Sequence, residues 1–106
     1  MYTRLEDNMT KSYFRQILET ALKIAKEDYE QQPNLPINKS FYFQLLDIKK
    51  TVINENHVYS LEDSKKKYPL GIMAIRNFEG YNDFDYKDML VDISYGISRY
   101  PKMPEK

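Results

Sequence analysis

The stretch KSYFRQILETALKIAKEDYEQQ, residues 11–32, decides the fold. Its apolar side chains recur at spacings of three and four residues, which predicts a helix with one buried stripe. The members of the stripe are Phe14, Ile17, Leu18, Ala21, Leu22, Ala25 and Tyr29. Thr10 or Ser12 can cap the start of this helix. Pro33 and Pro36 end it, because the residue before a proline is pushed away from helical dihedral angles.

Three further segments show helical spacing and define the fold class. Helices are predicted over residues 38–55, 60–78 and 84–100. The segment 60–78 is broken or kinked at Pro69, because a proline removes one backbone hydrogen bond inside a helix. The apolar face of that segment holds Leu61, Ser64, Tyr68, Ile72 and Ile75. We therefore predict an all-α protein, a compact single-domain bundle of four to five helices over residues 1–106.

Glycine and proline refine the last part of the chain. Gly80 is predicted to terminate the segment 60–78, and Pro101 the last helix. Gly96 lies within that last helix, where its missing side chain is predicted to permit close approach by a neighbouring element. We expect the tail, residues 102–106, to be frayed.

The composition excludes several classes of protein. The chain has no cysteine, which rules out disulfides, thiolate nucleophiles and cysteine-based zinc sites and agrees with a reducing cytosol. Sixteen basic and sixteen acidic residues cancel, so direct nucleic-acid binding is not favoured. The acidic start of the chain does not resemble a signal peptide, and no apolar run approaches the roughly 18 residues of a membrane span. We expect a cytoplasmic protein without a membrane partner.

Residues that could act in catalysis or bind a cofactor are scarce. His57 is the only histidine and lies in a predicted turn, so we interpret it as an ordinary loop residue and not as an acid–base catalyst. The spacing of Gly71, Gly80 and Gly96 fits neither a phosphate-binding loop nor a dinucleotide fingerprint. We therefore expect no cofactor and no enzymatic activity.

Three carboxylates in the run Asp83-Phe-Asp85-Tyr-Lys-Asp88 raise the question of a metal site. Carboxylate oxygens suit Ca²⁺ or Mg²⁺, but the run lacks the central glycine and the final glutamate of an EF-hand. A helix amino terminus favours carboxylates electrostatically and explains the same residues without a metal. We adopt that interpretation, and a metal-dependent enzyme is the least favoured alternative.

The most suggestive feature is the acidic stretch at residues 79–92, which holds five acidic residues against a single lysine. On a helix Asp85, Asp88 and Asp92 share one stripe beside the apolar stripe. Carboxylates accelerate association with a basic partner, and tyrosines supply buried contact area, so this stretch predicts a partner-binding surface. Its members are Glu79, Tyr81, Asp83, Asp85, Asp88, Asp92 and Tyr95. Alternatively, the acids only solvate the exposed side of the last helix while the tyrosines complete the core.

The only basic cluster is Lys65-Lys66-Lys67, followed by Tyr68. Consecutive lysines spread around the circumference of a helix instead of forming one basic face, which favours a solvated surface. The cluster still supports a second hypothesis, a small helical regulatory or adaptor protein that binds nucleic acid or another protein through these lysines.

The chain resembles the immunity proteins of bacterial contact-dependent growth inhibition systems, which protect a cell from toxins delivered by its neighbours. The resemblance rests on the short, helical, tyrosine-rich format, on the acidic and aromatic residues 79–88 and on the final helix, residues 89–100. It implies a protein that binds one cognate toxin domain tightly, here a nuclease, and blocks its active site. Because the active site of a toxin that acts on RNA is usually basic, the acidic stretch suits such a partner.

Overall fold

The computed structural model describes residues 2–81 and 84–106, which form five α-helices joined by short connections. The helices are α1 (Lys11–Gln31), α2 (Pro36–Ile48), α3 (Leu61–Lys67), α4 (Leu70–Asn77) and α5 (Asp85–Gly96). Two 3₁₀ turns, Leu5–Asp7 and Tyr100–Lys102, flank the bundle, and a π-helical segment, Lys49–Asn54, extends α2. The described residues contain no β-strand, so the predicted all-α single-domain bundle is confirmed. None of the helices in these two ranges has the length and apolarity needed to cross a lipid bilayer.

The apolar stripe of α1 forms the centre of the core. Its residues from Phe14 to Ala25 are buried where α1 packs against α2 and α5. Tyr29 remains half-buried, and its ring stacks on Tyr42 of α2 with 5.7 Å between the ring centroids. The predicted cap is also confirmed, because Thr10 Oγ1 accepts a hydrogen bond from the Tyr13 backbone N–H at 3.2 Å.

The boundaries of two helices differ from the prediction. Pro36 does not serve to end α1 but is the first residue of α2, where a proline is favoured because its missing N–H would have no helical partner. The last helix ends at Gly96, four residues before the predicted end at Tyr100. After Gly96 the chain makes a tighter turn, in which the Arg99 N–H donates to the Gly96 carbonyl three residues earlier at 3.1 Å. Such 3₁₀-type bonds are common at helix carboxyl termini. Pro69 lies between α3 and α4.

The carboxyl-terminal tail is not frayed, so that prediction is wrong. Met103 is buried, and Arg15 of α1 pairs with Glu105. The carbonyl oxygens of Pro104 and Glu105 accept hydrogen bonds from the first two N–H groups of α1, at 2.8 and 3.1 Å. Those N–H groups have no partner within the helix, so the tail supplies what the helix start lacks.

Asp92 of α5 holds the amino-terminal segment. Its side chain is only 7% exposed and pairs with the Arg4 guanidinium, whose Nη2 lies 2.8 Å from Oδ1. The Tyr2 hydroxyl and the Leu5 backbone N–H donate to the same carboxylate at 2.6 and 3.0 Å. Asp85, Asp88 and Asp92 are predicted to share one stripe beside the apolar stripe, but along it Asp92 is buried whereas Asp85 is exposed. The burial of this carboxylate is tolerated because it is paired and fully hydrogen-bonded.

Two glycines allow close packing around α5. A Cβ atom on Gly96 would lie 2.6 Å from the Phe14 ring and 2.9 Å from the Leu5 side chain, which confirms the predicted close approach. A Cβ atom on Gly71 of α4 would lie 2.6 Å from the Cβ atom of Ser94 on α5. Helix α5 is thus enclosed by α1 on one side and α4 on another, with no space for a methyl group at either contact.

Gly71→Ala is expected to lower the free energy of unfolding by about 1–3 kcal/mol, because the added methyl group collides with Ser94. Ser94→Gly removes the colliding atoms. The double variant should therefore lose less stability than the sum of the two single variants, as measured by urea denaturation. Strictly additive losses would show that α4 moves away from α5 without cost.

The ionisation of Asp92 provides a second test. Burial alone would raise the pKa of this carboxyl, but hydrogen bonds from Arg4, Tyr2 and Leu5 outweigh burial and hold the pKa below its ordinary value of 3.8. A carboxyl whose pKa is lowered by folding stabilises the fold above its unfolded pKa. That stabilisation is lost as the pH falls through the folded pKa.

Asp92→Asn is expected to lower the free energy of unfolding by about 2–4 kcal/mol near neutral pH, because Arg4 and Leu5 lose a charged acceptor. The difference from the wild type should shrink as the pH falls below about 4, because the carboxyl then takes up a proton in the unfolded chain before it does so in the folded protein. Urea denaturation near neutral pH and below about pH 4 measures the loss of stability and its dependence on pH. Asp85→Asn is the control, since Asp85 is exposed on the same helix and should cost under about 1 kcal/mol. A destabilisation by Asp92→Asn that does not change with pH would contradict an ionised Asp92.

Candidate partner-binding surface

The structure distributes the residues predicted to bind a partner over three places. Asp83 lies outside the described residues. The others are Glu79, Tyr81 and Asp85 around the connection between α4 and α5, Asp88 and Asp92 beside Arg4, and Tyr95 further along α5. They do not form one continuous face of the last helix.

Glu79, Tyr81 and Asp85 form a small exposed surface that we call the acidic corner. Tyr81 is 59% exposed, and its ring centroid lies 6.0 Å from that of Phe78 and 5.8 Å from that of Phe84. Both carboxylates are exposed as well. The acidic corner thus combines an exposed aromatic ring that contacts two neighbouring rings with two exposed carboxylates nearby in the sequence.

Arg4 neutralises the acidic residues further along α5. In addition to its pair with Asp92, its Nη1 atom lies 3.7 Å from Asp88 Oδ1, and the Asp88 side chain is 33% exposed. The charge excess predicted for residues 79–92 is therefore reduced. Of the predicted carboxylates that the structure describes, only those of Glu79 and Asp85 belong to exposed residues.

A second surface, which we call the α4–α5 groove, was not predicted from the sequence. It has a volume of about 570 Å³ and lies between α3, α4 and α5. Its apolar lining consists mainly of Leu61, Ile72, Ile75, Val91 and Tyr95. Ile72 and Ile75 are 52% and 50% exposed, although large apolar side chains clustered in this way are uncommon on the surface of a monomer.

The break at Pro69 explains why the groove stays open. The predicted apolar face of residues 60–78 assumes one continuous helix, in which Tyr68, Ile72 and Ile75 point the same way. In the structure Tyr68 is buried, whereas Ile72 and Ile75 remain exposed on the separate helix α4. The clue in the sequence was the apolar pair Ile72 and Ile75, but its exposure depends on the direction that the chain takes after Pro69.

The residues that line the groove include two cations. Arg99 lies with its guanidinium carbon 3.7 Å from the centroid of the Tyr95 ring, and its Nη1 atom donates to the Tyr95 carbonyl at 2.7 Å. Lys65 of α3 also lines the groove. In contrast, Lys66 Nζ lies 3.5 Å from Glu62 Oε1, and Lys67 Nζ lies 3.7 Å from Asp47 Oδ2. The lysine run therefore does not form one basic face.

A polar cluster centred on the buried Tyr68, which follows α3, links this part of the chain to α2. The Tyr68 hydroxyl donates to Asp47 Oδ2 at 2.6 Å and lies 2.8 Å from Thr51 Oγ1. Burial and the hydrogen bond to Asp47 raise the pKa of Tyr68, so its hydroxyl stays protonated. Because Tyr68 also lines the groove, this cluster stabilises the wall that α3 contributes.

The remaining candidate groups do not assemble into a reactive site. His57 is exposed and lies beside Tyr59, with 4.3 Å between the ring centroids. Within residues 2–81 and 84–106, histidine, aspartate and glutamate side chains do not gather in any group of three that could hold a metal ion. Asp83, one of the three carboxylates of the metal alternative, falls outside these ranges.

Comparison with known proteins identifies the family. A family model described as Tsi6 matches residues 13–99, which include all five helices except the first two residues of α1. No curated protein and no solved structure matches the chain significantly. Tsi6 is a family of type VI secretion immunity proteins, so the match supports toxin immunity and does not extend to contact-dependent growth inhibition. Because the match spans most of the sequence, the chain belongs to the Tsi6 family of toxin-immunity proteins.

Proposed function

We propose that this chain is a non-enzymatic immunity protein that binds one cognate toxin domain in the cytoplasm and covers its active site. Membership of the Tsi6 family supports the immunity role. The observation that best supports direct binding is the α4–α5 groove, which is lined by the half-exposed Ile72 and Ile75 together with Tyr95. Clustered apolar side chains of this kind mark protein–protein contacts, and tyrosine is a frequent anchor residue in them.

The acidic corner supports an additional contact with a basic part of the toxin, such as the phosphate-binding site of a nuclease. Glu79 and Asp85 are exposed, and they precede and follow Tyr81 in the sequence. Since Asp92 is buried and Asp88 pairs with Arg4, we assign this surface to steering the approach of the toxin and not to most of the affinity. The alternative of nucleic-acid binding through the lysine run has less support, because Lys66 and Lys67 each lie near a carboxylate.

The stoichiometry of inhibition tests this proposal. The cognate toxin domain is purified, and its activity is titrated with the purified chain. Occlusion predicts that activity stops at a molar ratio of about one and that the two proteins elute as a complex. Inhibition by trace amounts of the chain, without a complex, would indicate an enzyme and contradict the proposal.

Charge reversal tests the acidic corner. Glu79→Lys/Asp85→Lys is expected to slow association with the toxin about tenfold at low ionic strength, with a smaller effect at high salt. Surface plasmon resonance measures the rates. Glu6→Lys/Asp7→Lys is the matched control, because it makes the same charge change at exposed residues near Leu5, which packs against Gly96 at the other end of α5. Equal slowing in both variants would indicate a general charge effect and remove the acidic corner from the interface.

A further inference from the structure

The α4–α5 groove is an apolar surface that the fold leaves without a partner. Leu61 and Tyr95 are 45% and 43% exposed, and with Ile72 and Ile75 they surround one depression between three helices. Removing such side chains from water is favourable by about 25 cal/mol for each Å² of apolar surface that a partner covers. An occupant of this groove must therefore present apolar side chains of its own.

The walls of the groove are held in place before any partner arrives. Gly71 lets α4 approach the Ser94 side chain of α5 with no space for a methyl group. Tyr68 is fixed on the side of α3 by its hydrogen bond to Asp47. A preformed groove reduces the ordering cost of binding, so these contacts favour a docking surface over a depression that collapses.

The charge around the groove has one sign. Lys65 and Arg99 are the charged residues among the described residues that line it, and no aspartate or glutamate is found there. Arg99 is held over the Tyr95 ring through a stacking contact and one hydrogen bond. A guanidinium presents five N–H donors, so an arginine that uses one of them can still bind a carboxylate through others.

We infer that the α4–α5 groove binds an apolar segment of the toxin domain whose flanking carboxylates pair with Lys65 and Arg99. This inference rests on the proposed function and names the part of the toxin that the immunity protein holds. Charge complementarity favours this occupant, because the residues that line the groove are mostly apolar and the two charged residues among them, Lys65 and Arg99, are both cationic. The acidic corner has the opposite sign, so the two surfaces together admit one orientation of the toxin.

Two paired variants test the apolar and the charged parts separately, with affinity for the purified toxin domain as the measurement. Ile72→Ser/Ile75→Ser is expected to weaken binding about 30-fold or more, because central apolar contacts dominate interface energies. Lys65→Glu/Arg99→Glu is expected to weaken binding about tenfold or more and to reduce its dependence on salt. All four side chains lie at the surface, so thermal unfolding should show that each variant is folded.

The control variants make the same changes outside the groove. Leu46→Ser/Val58→Ser removes exposed apolar side chains elsewhere, and Lys23→Glu/Lys26→Glu reverses two exposed charges on α1. Both should bind the toxin like the wild type. If the wild type binds but the groove variants match their controls, the groove inference is overturned and the proposed function stands. If the wild type does not bind the toxin, the proposed function fails.

The absence of cysteine allows the occupant to be identified directly. Ile75→Cys introduces a unique thiol that can carry a benzophenone group, and mass spectrometry then locates the cross-linked peptide of the toxin. The inference predicts an apolar peptide that contains aspartate or glutamate. A basic toxin peptide, or a cross-link to a second copy of this chain that persists with toxin present, would overturn it.

Discussion

The structure depends on α5, because almost every turn of that helix is held by a different part of the chain. Leu90 and Ile93 are buried in the core, and Gly96 leaves space for the Phe14 ring of α1. Ser94 meets α4, and Asp92 binds the amino-terminal segment. A helix with so many neighbours has little surface left for a partner. The free surface lies at its two ends, the acidic corner at one and the α4–α5 groove towards the other.

The overall charge of zero conceals two surfaces of opposite sign. The acidic corner contains Glu79 and Asp85, whereas the groove is lined by Lys65 and Arg99. Net charge describes the field at a distance, but a partner in contact meets the local pattern. A toxin domain that matched both surfaces would be attracted and oriented at once, which suits an immunity protein that must recognise one cognate toxin.

Much of the fold could be predicted, because helices are local structures. The spacing of apolar residues in α1 follows from the geometry of 3.6 residues per turn, and a cap such as Thr10 acts on an N–H three residues away. The errors concern contacts between distant parts of the chain. The tail that caps α1 and the Arg4 guanidinium that pairs with Asp92 leave no periodic signal, because each partner is an isolated residue near a terminus.

The sequence by itself determined the helices, the break at Pro69, the lack of cysteine chemistry and the presence of an acidic, tyrosine-bearing stretch. Only the tertiary structure decided which of those side chains are exposed and which are buried. Asp92 and Tyr95 are three residues apart on one helix, yet one is buried in an ion pair and the other lines an open groove. The physical reason is that exposure depends on what packs beside a helix. The helix turn sets only the direction of a side chain.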